Sequence, residues 1–247
     1  MKLYNTLIIG SGYSSIGYAM ASPETVICEE HQICDTSFYL PLRTFRYNDY
    51  SPKTEEGSQL LALFNSLSIF GKTEQNANGF ELAMCKYISQ KQLDVLLKCR
   101  IVSIVQQTDL IYDVTIYTNE GLTHLFAKKI LDMSNRAEEG YFTVLFVCDD
   151  IEKVKDKLLS AYSGAQIESA FYAGRYALHI PTDGTDVNRI KLVVYEKWRS
   201  LGIYAKILYM APVFYGTANA DKLCDNNYEN PIEAFEAGYF YAKENDK

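Results

Sequence analysis

The residues of this chain whose types and spacing could do chemistry together lie near its start. Leu3-Tyr4-Asn5-Thr6-Leu7-Ile8-Ile9 reads as a strand, and Gly10-Ser11-Gly12-Tyr13-Ser14-Ser15-Ile16-Gly17 follows at once as a glycine turn opening a helix. Thr25-Val26-Ile27-Cys28 is a second short strand that ends on Glu29-Glu30. Glycines at such a turn let the backbone approach a pyrophosphate at the helix N-terminus, and an acid about 20 residues on accepts from a ribose hydroxyl. The layout is that of a dinucleotide-binding βαβ unit. The motif alone does not choose the ligand, because methyltransferases and nicotinamide dehydrogenases use a similar first turn and acid.

Other reactive side chains are scattered. Cys28, Cys34, Cys85, Cys99, Cys148 and Cys224 form no C-x-x-C pair and have no zinc-ligand spacing with a histidine. Cys28 and Cys34 do not fit a redox pair on one helix turn and read as buried structural thiols. His31 follows the acid pair, and His124 falls in a β-rich stretch. His179, just before Pro181, lies in the region that would meet a substrate and is the candidate general base. Arg43 and Arg46, interleaved with Tyr39, Phe45, Tyr47 and Tyr50, suit either a carboxylate or phosphate ligand or a solvated loop with packed aromatic stems. Arg175 with Tyr172 and Tyr176 is a similar case.

The elements that must position these residues alternate between strand and helix patterns, which predicts an α/β protein. Glu55 to Phe70 has helical spacing, and Glu81 to Lys98 reads as one longer helix or two abutting ones. Ile101 to Gln106, Ile111 to Thr118 and Thr123 to Phe126 form an antiparallel meander with a turn at Asn119-Glu120-Gly121. Ala127 to Met133 reads as a separate, more uniformly apolar strand. The second half predicts strands at Tyr141 to Cys148, Phe171 to Ile180 and Ala205 to Met210, with helices at Ile151 to Tyr162 and Asp186 to Leu201. Asn230 to Glu244 is a final helix: Asn230 caps it, Pro231 suits its first position and Glu233 completes a capping-box-like pattern. Ala234, Ala237 and Gly238 give that helix a small-residue face.

Composition narrows the function classes. The chain has 247 residues, 48% of them apolar, enough for one large or two small domains. A net charge of −7 with no basic run argues against a nucleic-acid surface. No apolar stretch is long enough to span a bilayer, and the first residues do not read as a signal peptide, so the expected setting is cytoplasmic.

Gly10-x-Gly12 with Glu29, the meander, Lys129-Ile130-Leu131-Asp132, and Asn230-Pro231-Ile232-Glu233-Ala234-Phe235-Glu236-Ala237-Gly238 occur in that order. This order resembles the FAD-dependent oxidoreductases of the glutathione-reductase-like superfamily, over residues 1–35, 93–136 and 220–243. The resemblance implies a Rossmann-like FAD-binding domain with a central parallel sheet and a β-meander (residues 1–138 and 206–247), plus a smaller α+β substrate-covering region (139–205). It implies FAD as cofactor, with a small-molecule substrate and an electron donor or acceptor as partners. Gly10 and Gly12 would line the pyrophosphate, with Ser14 and Ser15 among the cofactor-binding residues. Glu29, or its neighbour Glu30, would hold the adenosine ribose. Residues around Val102 would lie near the adenine, and Asn230, Pro231 and Ile232 would face the flavin. The chain departs from the family pattern at three places. Ser15 stands where the third glycine is usual, Met133-Ser134-Asn135 replaces an Ala-Thr-Gly signature, and Asp221 and Asp225 are loose stand-ins for a Gly-Asp before the last helix. The departures keep two other readings open: a non-catalytic nucleotide-binding accessory protein and an NAD-dependent dehydrogenase.

Overall fold

The computed structural model describes residues 2–32, 34, 37–43, 50–69, 77–108, 110–134, 139–170, 174–183, 186–216, 219 and 221–246. Arg46, Phe45, Tyr47, Asn135, Phe171 and Tyr172 lie outside them.

The βαβ unit forms as the sequence predicts. β1 (Leu3–Ile9), α1 (Tyr13–Ala21) and β2 (Thr25–Glu29) follow one another, and the two strands pair in parallel with Thr6 opposite Thr25 and Ile9 opposite Cys28. Leu7, Ile8, Val26 and Ile27 have no exposed surface. Strands covered on both faces need such uniformly apolar runs. α2 (Glu55–Ser66) and α3 (Ala77–Lys91) follow. Helix α3 stops earlier than the periodicity suggests. Gln92 turns the backbone to φ 53°, and β3 (Asp94–Leu97) then pairs in parallel with β2. The expected helix through Lys98 is therefore corrected. Val95-Leu96-Leu97 satisfies its amides on β2 rather than within a helix.

The meander is β4 (Arg100–Thr108), β5 (Ile111–Thr118) and β6 (Gly121–Asp132). The two strands expected at 123–126 and 127–133 are one. The first part of β6 pairs antiparallel with β5, and Phe126 to Asp132 pairs in parallel with β1. The six-stranded sheet runs β3-β2-β1-β6-β5-β4.

A second, antiparallel sheet follows. β7 (Gly140–Cys148), α4 (Glu152–Ala161), β8 (Gln166–Ser169), β9 (Arg175–Thr182), α5 (Val187–Ser200), β10 (Ala205–Met210) and β11 (Tyr215–Gly216) give the order β10-β7-β9-β8, with β11 beside β7. Phe142, Val144, Phe146, Leu158, Val194 and Trp198 make its core against α4 and α5. The sequence expectation of a boundary at 206 puts most of strand β10 on the cofactor side. The strand pairs with β7, Lys206 opposite Val147, and so belongs to the second sheet.

α6 (Pro231–Asn245) returns to the first layer and lies against α1. A Cβ on Gly238 would stand 1.8 Å from the Ser14 carbonyl oxygen, and one on Gly17 would stand 1.8 Å from the Phe235 carbonyl oxygen. Two glycines thus let the helix backbones touch. Ile232, Ala234 and Phe235 join Ile8, Ile16, Phe64 and Tyr87 in the main core. Among the described residues no helix is long and apolar enough to cross a membrane.

Candidate nucleotide-binding site

The glycine turn links β1 to α1 and reaches both β2 and β6. Gly10 has φ 94°, a left-handed conformation that favours glycine, and a Cβ there would stand 2.6 Å from Ser134 Cα. Its N–H donates to the Cys28 carbonyl at 2.8 Å. The next residue holds the acid. Ser11 N and Oγ donate to Glu29 Oε2 at 2.8 and 3.0 Å, while His31 N and Nδ1 approach Oε1 at 2.9 and 2.7 Å. A carboxylate offers about four acceptor positions, so these contacts account for the full set. Burial opposes the charge on Glu29, but the His31 ring and amide and the Ser11 amide outweigh it and hold its pKa below the usual value.

Beside this turn is a cleft of about 990 Å³ at the C-terminal ends of β1, β2 and β6. Ligands of open α/β sheets bind at that end of the strands. Gly10, Glu29, Glu30, His31, Asp132 and Ser134 form one wall, and Arg100 and Ile101 extend it at the start of the meander. Val187, Val213 and Phe214 contribute from the second-sheet region, and Lys222 reaches in from the loop before α6. Lys222 Nζ is 3.0 Å from Asp132 Oδ2 and 3.2 Å from Ser134 Oγ. Asp132 Oδ1 also accepts from Ser134 N and Oγ. Burial opposes the charge on Asp132, yet the Ser134 and Lys222 bonds lower its pKa. Val102 does not line the cleft and is 56% exposed. Successive side chains of a strand point to opposite faces, so Ile101 takes the inward position expected of Val102.

The start of α1 is held by an acid. Tyr13 N and Ser14 N donate to the two oxygens of Asp225 at 2.7 and 2.8 Å, and Ser14 Oγ donates to Oδ1 at 2.6 Å. Ser37 Oγ donates to the same carboxylate. A Cβ on Gly12 would stand 2.5 Å from Asp225 Oδ2, so the bare face of that glycine is covered by the acid. Asp225 has no exposed surface and sits in a short 3₁₀ turn, Asp225–Asn227. Arg43 braces this turn by donating to the carbonyls of Asp225 and Tyr228, with its guanidinium over the rings of Phe38 at 4.7 Å and Tyr215 at 5.5 Å. It is a half-buried strut rather than the head of a solvated loop. Gly12, Ser14 and Ser15 are not among the residues that line the cleft.

Asn230, Pro231 and Ile232 do not line it either. Asn230 Oδ1 accepts from Ile232 N at 2.8 Å, the cap read from the sequence, and Ile232 is 1% exposed within the core. The sequence pattern missed the role of Glu236. Its carboxylate is buried and accepts from Tyr50 OH, Lys53 N, Thr54 N and Thr54 Oγ1 at 2.6–2.7 Å, tying α6 to the start of α2.

His179 stands apart, inside the second sheet. Its Nδ1 is 3.1 Å from both Thr143 Oγ1 and Tyr215 OH, and its Nε2 is 3.8 Å from Glu168 Oε2. Burial lowers its pKa, and Glu168 works in the opposite direction. It does not line the cleft, whereas His31 does. His124 pairs with Asp113 on the meander at 2.7 Å. Tyr176 packs against Phe146 with ring centres 5.6 Å apart. Cys28 and Cys99 border the cleft as free thiols. Among the described residues no group of three or more His, Cys, Asp or Glu side chains could hold a metal ion.

These elements define a mixed, Rossmann-like α/β fold with a parallel-dominated sheet and a meander, as expected, and the region expected to be α+β is built on a second, antiparallel sheet. Solved structures share it. A geranylgeranyl bacteriochlorophyll reductase-like protein from Thermoplasma acidophilum superposes with a TM-score of 0.57 at 12% identity, covering 98% of this chain and 78% of its own. A flavoprotein/dehydrogenase from Cytophaga hutchinsonii gives 0.51 at 12% identity, covering 98% and 77%. BexE, studied for oxidation during BE-7585A biosynthesis, gives 0.53 at 12% identity over 84% of this chain, which spans 52% of BexE. No family model matches the sequence, and no curated protein matches it.

Proposed function

We propose that this protein is an FAD-binding oxidoreductase acting on a small molecule with a separate electron donor or acceptor. The observation that carries the reading is the cleft at the C-terminal ends of β1, β2 and β6, where the glycine turn and the two acids Glu29 and Glu30 meet. The shared fold supports it. In this reading the adenosine half of FAD would enter this cleft, with Glu30 toward the ribose, because the acceptor positions of Glu29 are taken by Ser11 and His31, and with Ile101 toward the base. FAD would supply the redox step, and this chain would bind and orient it. The α1 amides that would meet the pyrophosphate are held by Asp225.

The visible absorption spectrum of the purified protein, with identification of any ligand released by heat, tests the proposal. Reconstitution with FAD that leaves no bound flavin would overturn it. One observation favours a second reading. Asn230 and Ile232, expected to face the flavin, are 3% and 1% exposed, which suits an accessory protein that binds a nucleotide without turnover. Flavin that is bound but never reduced by any donor would favour that reading.

A further inference from the structure

The first turn of α1 already holds an anion, and it is the chain's own. Asp225 receives both leading amides of the helix and the Ser14 hydroxyl at 2.6–2.8 Å, with Ser37 Oγ as a further donor. Gly12, the residue whose bare backbone would let a phosphate approach, faces this carboxylate. Backbone N–H groups at a helix start, with the positive end of the helix dipole, form an anion site. Ser15 Oγ, in the same helical turn, is fully buried and has no hydrogen-bond partner among the described residues, so the turn keeps spare capacity beside the acid. Gly10 lines the cleft, whereas Gly12, Ser14 and Asp225 are not among its lining residues.

We infer that Asp225 is an internal stand-in for a ligand's phosphate, so that pyrophosphate-bearing nucleotides bind only when the 221–230 segment withdraws this carboxylate from α1. The inference rests on the nucleotide-binding reading above. Two anions do not share one pair of amides, because their repulsion in a buried site is weakly screened. Adenosine, which carries no phosphate, would enter the cleft without moving Asp225. ADP and FAD would have to displace it. The segment that carries Asp225 also carries Lys222, whose Nζ lies in the cleft wall, so withdrawal changes both the anion site and the cleft charge.

The test compares wild type and Asp225→Ala by calorimetry with four probes: adenosine, ADP, FAD and inorganic pyrophosphate. The expected result is an affinity gain of tenfold or more for ADP and pyrophosphate in the variant, weakening with added salt, and no change for adenosine. ADP affinity that is unchanged or reduced in folded Asp225→Ala overturns the inference. Hydrogen exchange on the wild type keeps the test open should the variant not fold. ADP should speed exchange across 221–228 while adenosine does not, and equal exchange with either ligand overturns it. Failure of both proteins to take FAD sinks the flavin reading. A gain in pyrophosphate affinity would still stand for Asp225 in that case.

Discussion

Gly238 of α6 rests directly on the backbone of Ser14 in α1, close enough that an added Cβ would stand 1.8 Å from the Ser14 carbonyl oxygen. Gly17 makes the reciprocal contact with Phe235. The obstacle is backbone on both sides, so no side chain can rotate away. Gly238→Ala should push α6 off α1 and cost about 3 kcal/mol, in the range of overpacking a core. Urea unfolding would show a lower midpoint. A midpoint equal to wild type would mean that the two helices are not held this close.

Glu236 is a structural acid. Four donors from Tyr50, Lys53 and Thr54 converge on its carboxylate. Glu236→Gln turns an NH₂ group toward donors and should cost about 2 kcal/mol, because buried donors are left unpaired. The loss should appear in thermal unfolding without any change in nucleotide affinity. A variant as stable as wild type would count against this network.

Glu29 gives the stability an acid limb. Its folded pKa lies below the ordinary value of 4.5, so its contribution is complete above about pH 4.5 and is lost as pH falls through the lower folded value. Glu29→Gln should cost about 1–3 kcal/mol at pH 7. It should also flatten the dependence of unfolding midpoint on pH below 4.5. An acid limb of unchanged steepness in the variant would assign it to other carboxylates, such as Asp132.

His179 acts in a different window with the same sign. Its folded pKa is below 6.5, so the unfolded chain takes the proton first. Stability attributable to it is full above about pH 6.5 and falls as pH drops toward the folded value. His179→Gln should remove its part of the slope that begins below pH 6.5 while leaving the Glu29 limb in place. A slope that persists would show that the imidazole takes no part.

The capped start of α6 is worth about 1 kcal/mol. Asn230→Ala removes the acceptor for Ile232 N and should lower stability by that amount, with Asn230→Asp restoring it. Chemical denaturation of the pair of variants checks this directly.

Local chemistry made the βαβ unit and the α6 cap legible in the sequence, because each rests on neighbouring residues. The glycine turn, the uniformly apolar strands and the Asn230-Pro231 pair signal their structures within a few positions. The α3–β3 boundary was not legible. Gln92 gives no glycine-like sign of its left-handed turn, and Val95-Leu96-Leu97 continues a helical apolar pattern. Strand β6 read as two because its meander half is partly exposed while its second half is more enclosed. The site was half legible. Glu29 was found, but the donors that saturate it are arranged by the fold. An acid before α6 was visible as Asp225, yet nothing local shows that its carboxylate turns back across 212 residues to Tyr13. Glu236 carries no local sign of its role for the same reason, since its donors come from Tyr50, Lys53 and Thr54.

Strand β6 also has a kinetic consequence. Its pairing with β5 joins residues close in sequence, from Thr118 with Gly121 to Tyr112 with Ala127, whereas its pairing with β1 joins Leu3 to Phe126. Closing a long loop costs more entropy than closing a short one, and local contacts form faster. The hairpin should therefore assemble first and leave the second half of β6 as a bare edge on which β1 docks. Changes at Val114 or Ile116 would then slow folding, while changes at Leu7 would mainly speed unfolding. The glycine turn, and with it the nucleotide cleft, would be among the later parts of the molecule to take shape.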